Sequence, residues 1–265
     1  MEPRHSGGRA ALPHLALALL LLLAAAVRAA DEPITPREKV SLFNGKDLSA
    51  FYVWLPTFGN TDPDHVFTVV DRIDGAPAIR ISGKHWGGLV TKKTYANYRL
   101  VAEFRWGLAT WAPRADRARD AGILLHCQGD DGNAAKNFKS PWLRSVEYQI
   151  IEGGTGDIIL VNGYDRGSEV IHAPHLTTPV RDGKVWDPSG GTVTELTKGR
   201  IDWQYRDPAW KDVLGFRGAK DVEKPWGEWN RIEAIVAGGD VTYLDRKSTR
   251  LNSSHTDISR MPSSA

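Results

Sequence analysis

The sequence is nearly without cysteine. Cys127 is the only one among 265 residues, so an internal disulfide is excluded and the core must hold the fold. An excess of one charge is also absent, since 34 basic and 32 acidic residues leave a net charge of +2. Without a clustered basic footprint we predict no nucleic-acid partner. Long helical periodicity is missing too. Tryptophan is plentiful, with ten residues, which either fill a β core or stack on sugars or peptides.

The N-terminal part differs from the rest of the chain. An apolar run at 15–27 follows several basic residues and ends in Val-Arg-Ala, the pattern of a secretory signal peptide with its cleavage site. The run is too short to predict a transmembrane helix. We therefore expect a signal peptide at 1–30 and a polar linker at 31–39. The mature protein is expected to be periplasmic or secreted, with no stable membrane insertion after cleavage.

Short segments of alternating or apolar character recur between turn residues and predict an all-β sandwich or barrel. The stretch 162–226 is rich in Gly, Pro and Asp with weak periodicity, and is expected to form long loops over one side. The predicted strands are Val66–Val70, Ala78–Ser82, Gly88–Thr91, Tyr98–Trp106, Gly122–Gln128, Val146–Ile151, Ile158–Val161 and Ile232–Leu244, the last broken at Gly238-Gly239.

Alternation between apolar and polar residues is found in three of these strands, Tyr98–Trp106, Gly122–Gln128 and Val146–Ile151. Each of the three therefore has one core face and one polar face. If the three are neighbours, their polar residues form a single surface, which is either an ordinary solvated face or a binding groove. The residues expected on it are Glu103, Arg105, His126, Gln128, Glu147 and Gln149.

Five segments, in order, resemble the 3-keto-disaccharide hydrolase family. They are "SLFNGKDLSAFYVW", "GGLVTKKTYANYRLVAEFRW", "DAGILLHC", "VEYQIIEGGTGD" and "KPWGEWNRIEAIVAGGDVTYL". The resemblance covers 40–244, which we take as the domain. It implies a concanavalin-A-like jelly-roll sandwich of two antiparallel sheets, with long loops over a concave face that binds carbohydrate.

The resemblance also implies chemistry on glycosides already oxidised at C3. A ketone at C3 acidifies the C2 proton, so a base can remove it while the glycosidic oxygen leaves C1, and water then adds to the product. Such a site needs a base, donors to the carbonyl oxygen and a proton for the leaving group. It does not need the two spaced carboxylates of a classical glycosidase.

Glu147 is the first candidate for a catalytic or sugar-contacting residue, because it matches the family's E-x-Q-I strand. The alternative is a structural carboxylate paired with Arg105 across the sheet. His126 is the second catalytic candidate, since histidine titrates near neutral pH, and the alternative is a structural histidine. Gln149 suits sugar hydroxyls because its amide both donates and accepts hydrogen bonds.

Further residues are expected to bind substrate or to support the site. Trp142 is a stacking platform or a tryptophan that packs a loop, and Glu103 with Arg105 form a supporting pair. Asp120 is expected to orient His126. Gln128 is expected to lie on the same face of the strand as His126. The complete set of predicted substrate-binding residues is Gln149, Trp142, Glu103, Arg105, Gln128 and Asp120.

Two other functions stay open from the residues alone. "EYQIIE" resembles the E-x-D-x-x-E strand of retaining endo-glucanases, with Glu147 and Glu152 as the pair, but Gln149 replaces the middle acid. Without a bulge, Glu152 would also point to the opposite face from Glu147. The third possibility is a non-catalytic carbohydrate-binding module that relies on its tryptophans.

No cofactor is predicted. "GDDGN" supplies calcium-type ligands in Asp130, Asp131 and Asn133, but it lacks the spacing and the final glutamate of an EF-hand. "HAPH" at 172–175 has two histidines around a proline, which blocks the one-face geometry of a zinc helix.

The segment 245–265 breaks the pattern. It is polar, rich in serine and without strand alternation, whereas the family resemblance predicts a hairpin and further strands here. It resembles translated adapter or assembly sequence, and the alternative is a genuine flexible tail. We expect an artefact that leaves the sandwich with missing strands and an unpaired edge.

Overall fold

The structure is a computed structural model that describes residues 32–167, 169–171, 175–245 and 248–257. The predicted signal peptide, most of the HAPH motif and the end of the tail lie outside the described residues. Within those ranges no helix has the length and apolarity that a membrane crossing requires.

The described residues contain seventeen β-strands and no helix, which confirms the predicted all-β class. In chain order the strands are β1 (Phe51–Trp54), β2 (Phe67–Ile73), β3 (Ala76–Ile81), β4 (Gly88–Thr91), β5 (Tyr98–Phe104), β6 (Asp120–Gln128), β7 (Arg144–Ile151), β8 (Ile158–Val161), β9 (Gly163–Tyr164), β10 (Val170–Ile171), β11 (His175–Arg181), β12 (Val185–Trp186), β13 (Thr192–Leu196), β14 (Gly199–Ile201), β15 (Asn230–Ala237), β16 (Asp240–Asp245) and β17 (Ser248–Asp257).

Two antiparallel sheets form the jelly-roll sandwich. The small sheet has four strands in the order β14-β8-β7-β6, and the large sheet has seven, in the order β12-β11-β17-β16-β15-β5 with β13 also paired to β11. The remaining sheets of the described residues have two strands each and are β1-β4, β2-β3 and β9-β10.

The core lies between the small and the large sheet. Because side chains alternate along a strand, each strand contributes every second residue to it. Tyr148 of β7 stacks on Tyr243 of β16 with ring centroids 4.0 Å apart. The other core side chains of β7 and β15 are Val146, Ile150, Ile232, Ala234 and Val236.

The partner of β5 differs from the expectation. A single polar surface required β5, β6 and β7 to be neighbours, but β5 pairs with β15 in the large sheet. Alternation identifies which face of a strand is buried, but it does not specify which strand lies beside it. The polar face of β5 was therefore identified correctly but assigned to the wrong sheet. The polar residues of β5 therefore lie on the outside of the other sheet.

The stretch 162–226 is also more regular than predicted. It contributes β11, β12 and β13 to the large sheet and β14 to the small one. Its later part, residues 202–226, is free of strands. The alternation was obscured because these strands are short, from two to seven residues.

The segment after residue 245 also differs from the expectation, which was a missing strand and an unpaired edge. The backbone of β17 pairs with β16 on one side and with β11 on the other. Ladder hydrogen bonds use backbone groups, so a polar, serine-rich segment can form them. That residues 245–265 are a sequencing or assembly artefact stays a prediction.

Candidate active site

The polar face of the small sheet carries the candidate site. Glu147 of β7 lies opposite Leu124 of β6 and Ile159 of β8, and Ile159 in turn lies opposite Arg200 of β14. Opposed residues share a face, so Glu147 and Arg200 project from the same side. The core face is formed by the intervening residues such as Tyr148. The predicted orientation of β7 is thus confirmed.

Glu147 carries a buried carboxyl. Its exposure is 7%, and no described residue donates a hydrogen bond to its side chain. Burial is the main cause that raises its pKa to about 7, and the charge of Asp120 raises it further, while Arg200 acts in the opposite direction. A carboxyl with this pKa can accept and return a proton near neutral pH.

Gly122 of β6 makes the space that the Glu147 carboxyl occupies. A Cβ atom at this position would lie 2.1 Å from Glu147 Oε1 and 2.9 Å from its Cγ and Cδ. Gly122 itself is exposed to solvent. The carboxyl therefore lies at the one point of this strand where a side chain is missing, and a ligand can approach it there.

We expect Gly122→Ala to lower activity while the protein stays folded. The added methyl group must push the flexible Glu147 side chain away, and a small misplacement of a catalytic group costs roughly 10²-fold in rate. The rate of substrate turnover measures the activity, and the melting temperature shows whether the variant is folded. Gly190→Ala is the matched control, since nothing lies within 4 Å of a Cβ atom there. Unchanged activity in Gly122→Ala would contradict the proposed position of the site.

Gln149 and Asp120 form a polar pair beside Glu147. Gln149 Nε2 donates to Asp120 Oδ1 at 2.8 Å, and Arg114 Nη2 lies 3.8 Å from Asp120 Oδ2. Burial is the main cause that raises the pKa of Asp120. Gln149 Oε1 is buried and accepts no hydrogen bond from the described residues. It is therefore an unsatisfied acceptor beside Glu147, and such an atom in a folded protein calls for an explanation.

Arg200 belongs to a buried cluster at the end of the sheet. Its Nε donates to Asp157 Oδ2 at 2.8 Å, and Asp157 also pairs with Arg206 and accepts the backbone N–H of Trp203. Burial lowers the pKa of Arg200. Arg200 was not among the predicted site residues, because "KGRIDW" lies in the stretch predicted to be loops. The only signal for it is an arginine whose parity on a short edge strand matches that of Glu147.

The loop at 202–219 covers part of this face, as predicted for the long loops. Arg206 lies over the ring of Trp210, 4.2 Å from its centroid, and Trp210 Nε1 donates to the carbonyl oxygen of Glu152. Asp212 of the same loop pairs with Arg114 at 2.6 Å. The loop thus connects β14 to the segment that precedes β6.

Glu152 has a structural role in this arrangement. Its carboxyl accepts the side chain and the backbone N–H of Arg119, at 2.5 and 2.9 Å, and the backbone N–H of Gly215 at 3.0 Å. Both carboxylate oxygens are therefore already used, and the side chain is buried. This geometry fixes Glu152 as a structural carboxylate and argues against its use in an endo-glucanase pair with Glu147.

His126 lies at a β-bulge. The register shifts between Leu125 and Gln128, and His126 has a backbone φ of +53°. Its Nε2 is buried without a partner among the described residues, and burial lowers its pKa. The expected contact with Asp120 is wrong, since Asp120 bonds Gln149. The bulge also sets Gln128 opposite Arg144, the parity of Val146, so Gln128 does not share the face of Glu147.

Glu103 and Arg105 do not join the site. Glu103 is exposed on the outer face of the large sheet. Arg105 donates to Asp74 Oδ2 at 2.8 Å and lies 5.3 Å from the ring centroid of Trp229. The alternative pairing of Arg105 with Glu147 is therefore wrong, because the two residues belong to different sheets.

Trp142 lies just before β7 and is 39% exposed. It contacts Trp86, with ring centroids 5.5 Å apart and planes inclined at 58°. Trp142, the predicted stacking residue, therefore forms an aromatic pair with Trp86 near the start of β7, the strand that carries Glu147.

The calcium-type residues have protein partners. Asp130 pairs with Arg166 at 2.7 Å, Asp131 accepts the hydroxyl of Tyr52 at 2.9 Å, and Asn133 bonds the backbone of Gln128 and Arg144. In the part of the chain that the structure describes, no three His, Cys, Asp or Glu side chains are grouped as a metal site. Through these contacts Asp130, Asp131 and Asn133 hold the loop in place.

Comparison with known proteins matches the chain to a family. The model of the family described as 3-keto-alpha-glucoside-1,2-lyase-like domain matches residues 38–250. No curated protein matches the chain. Among solved structures, a candidate glycosyl hydrolase from Parabacteroides distasonis is similar, with 20% identity and a TM-score of 0.40, over 83% of this chain and 72% of that one.

Proposed function

The chain belongs to the 3-keto-alpha-glucoside-1,2-lyase-like domain family, and from that premise we propose that it cleaves 3-keto-glycosides by elimination. As a member of this family it is a carbohydrate-active enzyme. The proposal concerns the reaction, its substrate and its residues. It includes export through the predicted signal peptide at 1–30, which would put the enzyme in the periplasm or outside the cell.

The proposed reaction begins at C2 of the keto-sugar. A base removes the C2 proton, the C2–H electron pair forms the C1–C2 double bond, and the C1–O bond breaks. The leaving oxygen takes a proton and departs as an alcohol. Water then adds across the double bond, with its hydroxyl at C1 and a proton at C2, so the overall reaction is hydrolysis.

Glu147 is the proposed base, and one observation supports it above all: its carboxyl is buried, accepts no hydrogen bond from the described residues and is adjacent to an exposed glycine. A carboxylate that has lost its hydration without gaining hydrogen bonds is a stronger base than one in water. Its pKa of about 7 leaves much of it ionised at neutral pH.

The neighbours of Glu147 fit the remaining tasks. Arg200 puts positive charge on the same face, where it would stabilise the enolate oxygen that develops at C3. Asp120 holds the Gln149 amide in place beside Glu147, where Gln149 Oε1 accepts no hydrogen bond from the described residues. Only one carboxylate acts as a base, in agreement with a reaction that does not need a pair of them.

The test compares 4-nitrophenyl 3-keto-glucosides, in both anomers, with the parent glucosides. We expect 4-nitrophenol release from a keto substrate and none from its parent. In D₂O the 3-keto-glucose formed should carry deuterium at C2, above an enzyme-free control. Cleavage of the parent glucosides, or release without deuterium, would contradict the proposal. Glycan binding without turnover of any substrate would favour a carbohydrate-binding module.

A further inference from the structure

A concave surface is lined by residues that do not include Glu147. It is a groove of about 430 Å³, and we call it the aromatic groove. Pockets of this size accept small ligands or single sugar residues. The lining residues that matter here are Phe58, Lys84, His85, Trp86, Ala112 and Trp142.

Two tryptophans dominate the aromatic groove and remain open to solvent. Trp86 is 40% and Trp142 39% exposed, although each could bury its ring more completely in a core. Their ring centroids lie 5.5 Å apart with planes inclined at 58°, so the two rings contact each other at an angle and do not stack flat. Large aromatic faces held open in a concave site indicate a ligand with apolar faces of its own.

Fixed N–H donors stand beside these rings. Asp64 binds Lys84 Nζ and His85 Nε2, each at 2.7 Å, and His85 meets Phe58 edge to face with centroids 5.3 Å apart. Lys84 keeps further N–H donors for a ligand. A ligand that offers both C–H faces and hydroxyl groups satisfies the whole set, which favours a sugar ring over a purely aromatic compound.

The aromatic groove is connected to the candidate active site at two points. Trp142 lies five residues before Glu147, and the segment containing Ala112 also contains Arg114, the partner of Asp120. At ~3.3 Å per extended residue, Trp142 and Glu147 are separated by up to roughly 17 Å along the chain. A single sugar ring cannot contact both, whereas an oligosaccharide can.

We propose that the aromatic groove binds a sugar residue of the leaving glycan, beyond the reacting ring, so that the substrates are oligosaccharides. This proposal rests on the proposed function for its direction along the substrate. Recognition by the groove involves no keto group, so unoxidised oligosaccharides should bind it as well.

Calorimetric titration of the purified protein with unmodified malto- and cello-oligosaccharides of two to five residues tests the proposal. We expect at least one series to bind and Trp86→Ala and Trp142→Ala each to weaken binding about tenfold or more, the effect of a lost stacking surface. Trp226→Ala is the matched control, because Trp226 is 51% exposed and lies outside the groove. Melting curves show that each variant is folded.

Several outcomes would overturn the assignment. They are the absence of binding in both series, binding that neither groove variant weakens, and binding of 4-nitrophenol in place of sugars. These results are independent of turnover. Tight oligosaccharide binding with no cleavage of keto substrates would refute the proposed function and leave the groove standing, whereas cleavage of keto-glucosides without oligosaccharide binding would do the reverse.

Discussion

Replacing Glu147 by glutamine is expected to lower kcat/KM for a 3-keto-glucoside by roughly 10²–10⁴-fold, the usual contribution of a general base. The amide has nearly the shape of the carboxyl, so the space beside Gly122 stays filled. It cannot accept the C2 proton, however. Release of the aglycone and of deuterium-labelled product measures the loss, and full activity in this variant would contradict the role of Glu147.

Glu152→Gln is the matched control, because the same substitution is made five residues further along the chain. It alters a carboxyl that is bonded to Arg119 and Gly215, so we expect a lower melting temperature, from about 1–3 kcal/mol, with kcat/KM retained in the folded enzyme. If Glu152→Gln is instead inactive and the wild type cleaves unoxidised β-glucan, the retaining endo-glucanase mechanism is correct.

The sequence was sufficient to predict the face of β7. Polar Glu147 and Gln149 alternate with apolar Val146, Tyr148 and Ile150, and a period of two has only one way to bury its apolar side. Short apolar segments between turn residues correctly located β4 and β8, whose bounds match the structure. What alternation cannot specify is the neighbour of a strand, since any strand with one apolar face can cover the same core.

The candidate site depends on such neighbours. Arg200 reaches the face of Glu147 because β14 pairs with β8, a contact across about forty residues of sequence. A left-handed residue at His126 shifts the register of β6, and no local signal distinguishes a histidine in that conformation from one in a regular strand. Contacts from the loop at 202–219 to Glu152 and Asp157 likewise join segments whose own sequences do not specify a partner.

The pH dependence of catalysis should follow the ionisation of Glu147. The base acts in its ionised form, and its pKa is raised from the ordinary 4.5 to about 7. We therefore expect kcat/KM to be constant above pH 7 and to fall about tenfold per pH unit below it. A profile of kcat/KM between pH 5 and 9, on a keto substrate, measures this. An activity that is flat down to pH 5 would contradict a base with a raised pKa.

The raised pKa of Glu147 makes activity rise with pH but makes the stability of the fold fall with pH. The Glu147→Gln variant separates these two effects. Between pH 4.5 and 7 the unfolded state loses the Glu147 proton while the folded state keeps it, so the wild type loses stability as the pH rises. Glutamine carries no such penalty. We expect the inactive variant to be as stable as the wild type near pH 4 and more stable by about 3 kcal/mol above pH 7.

Glu223 does not confuse this comparison, although burial raises its pKa to about 7 as well. It is present in both proteins, so its contribution cancels at every pH. Urea unfolding of the wild type and of Glu147→Gln at pH 4, 6 and 8 gives the difference in unfolding free energy directly. A functional carboxyl held away from water destabilises the fold that positions it. Equal stability of the two proteins at pH 8 would mean that Glu147 is solvated, and its assignment as the base would lose its physical support.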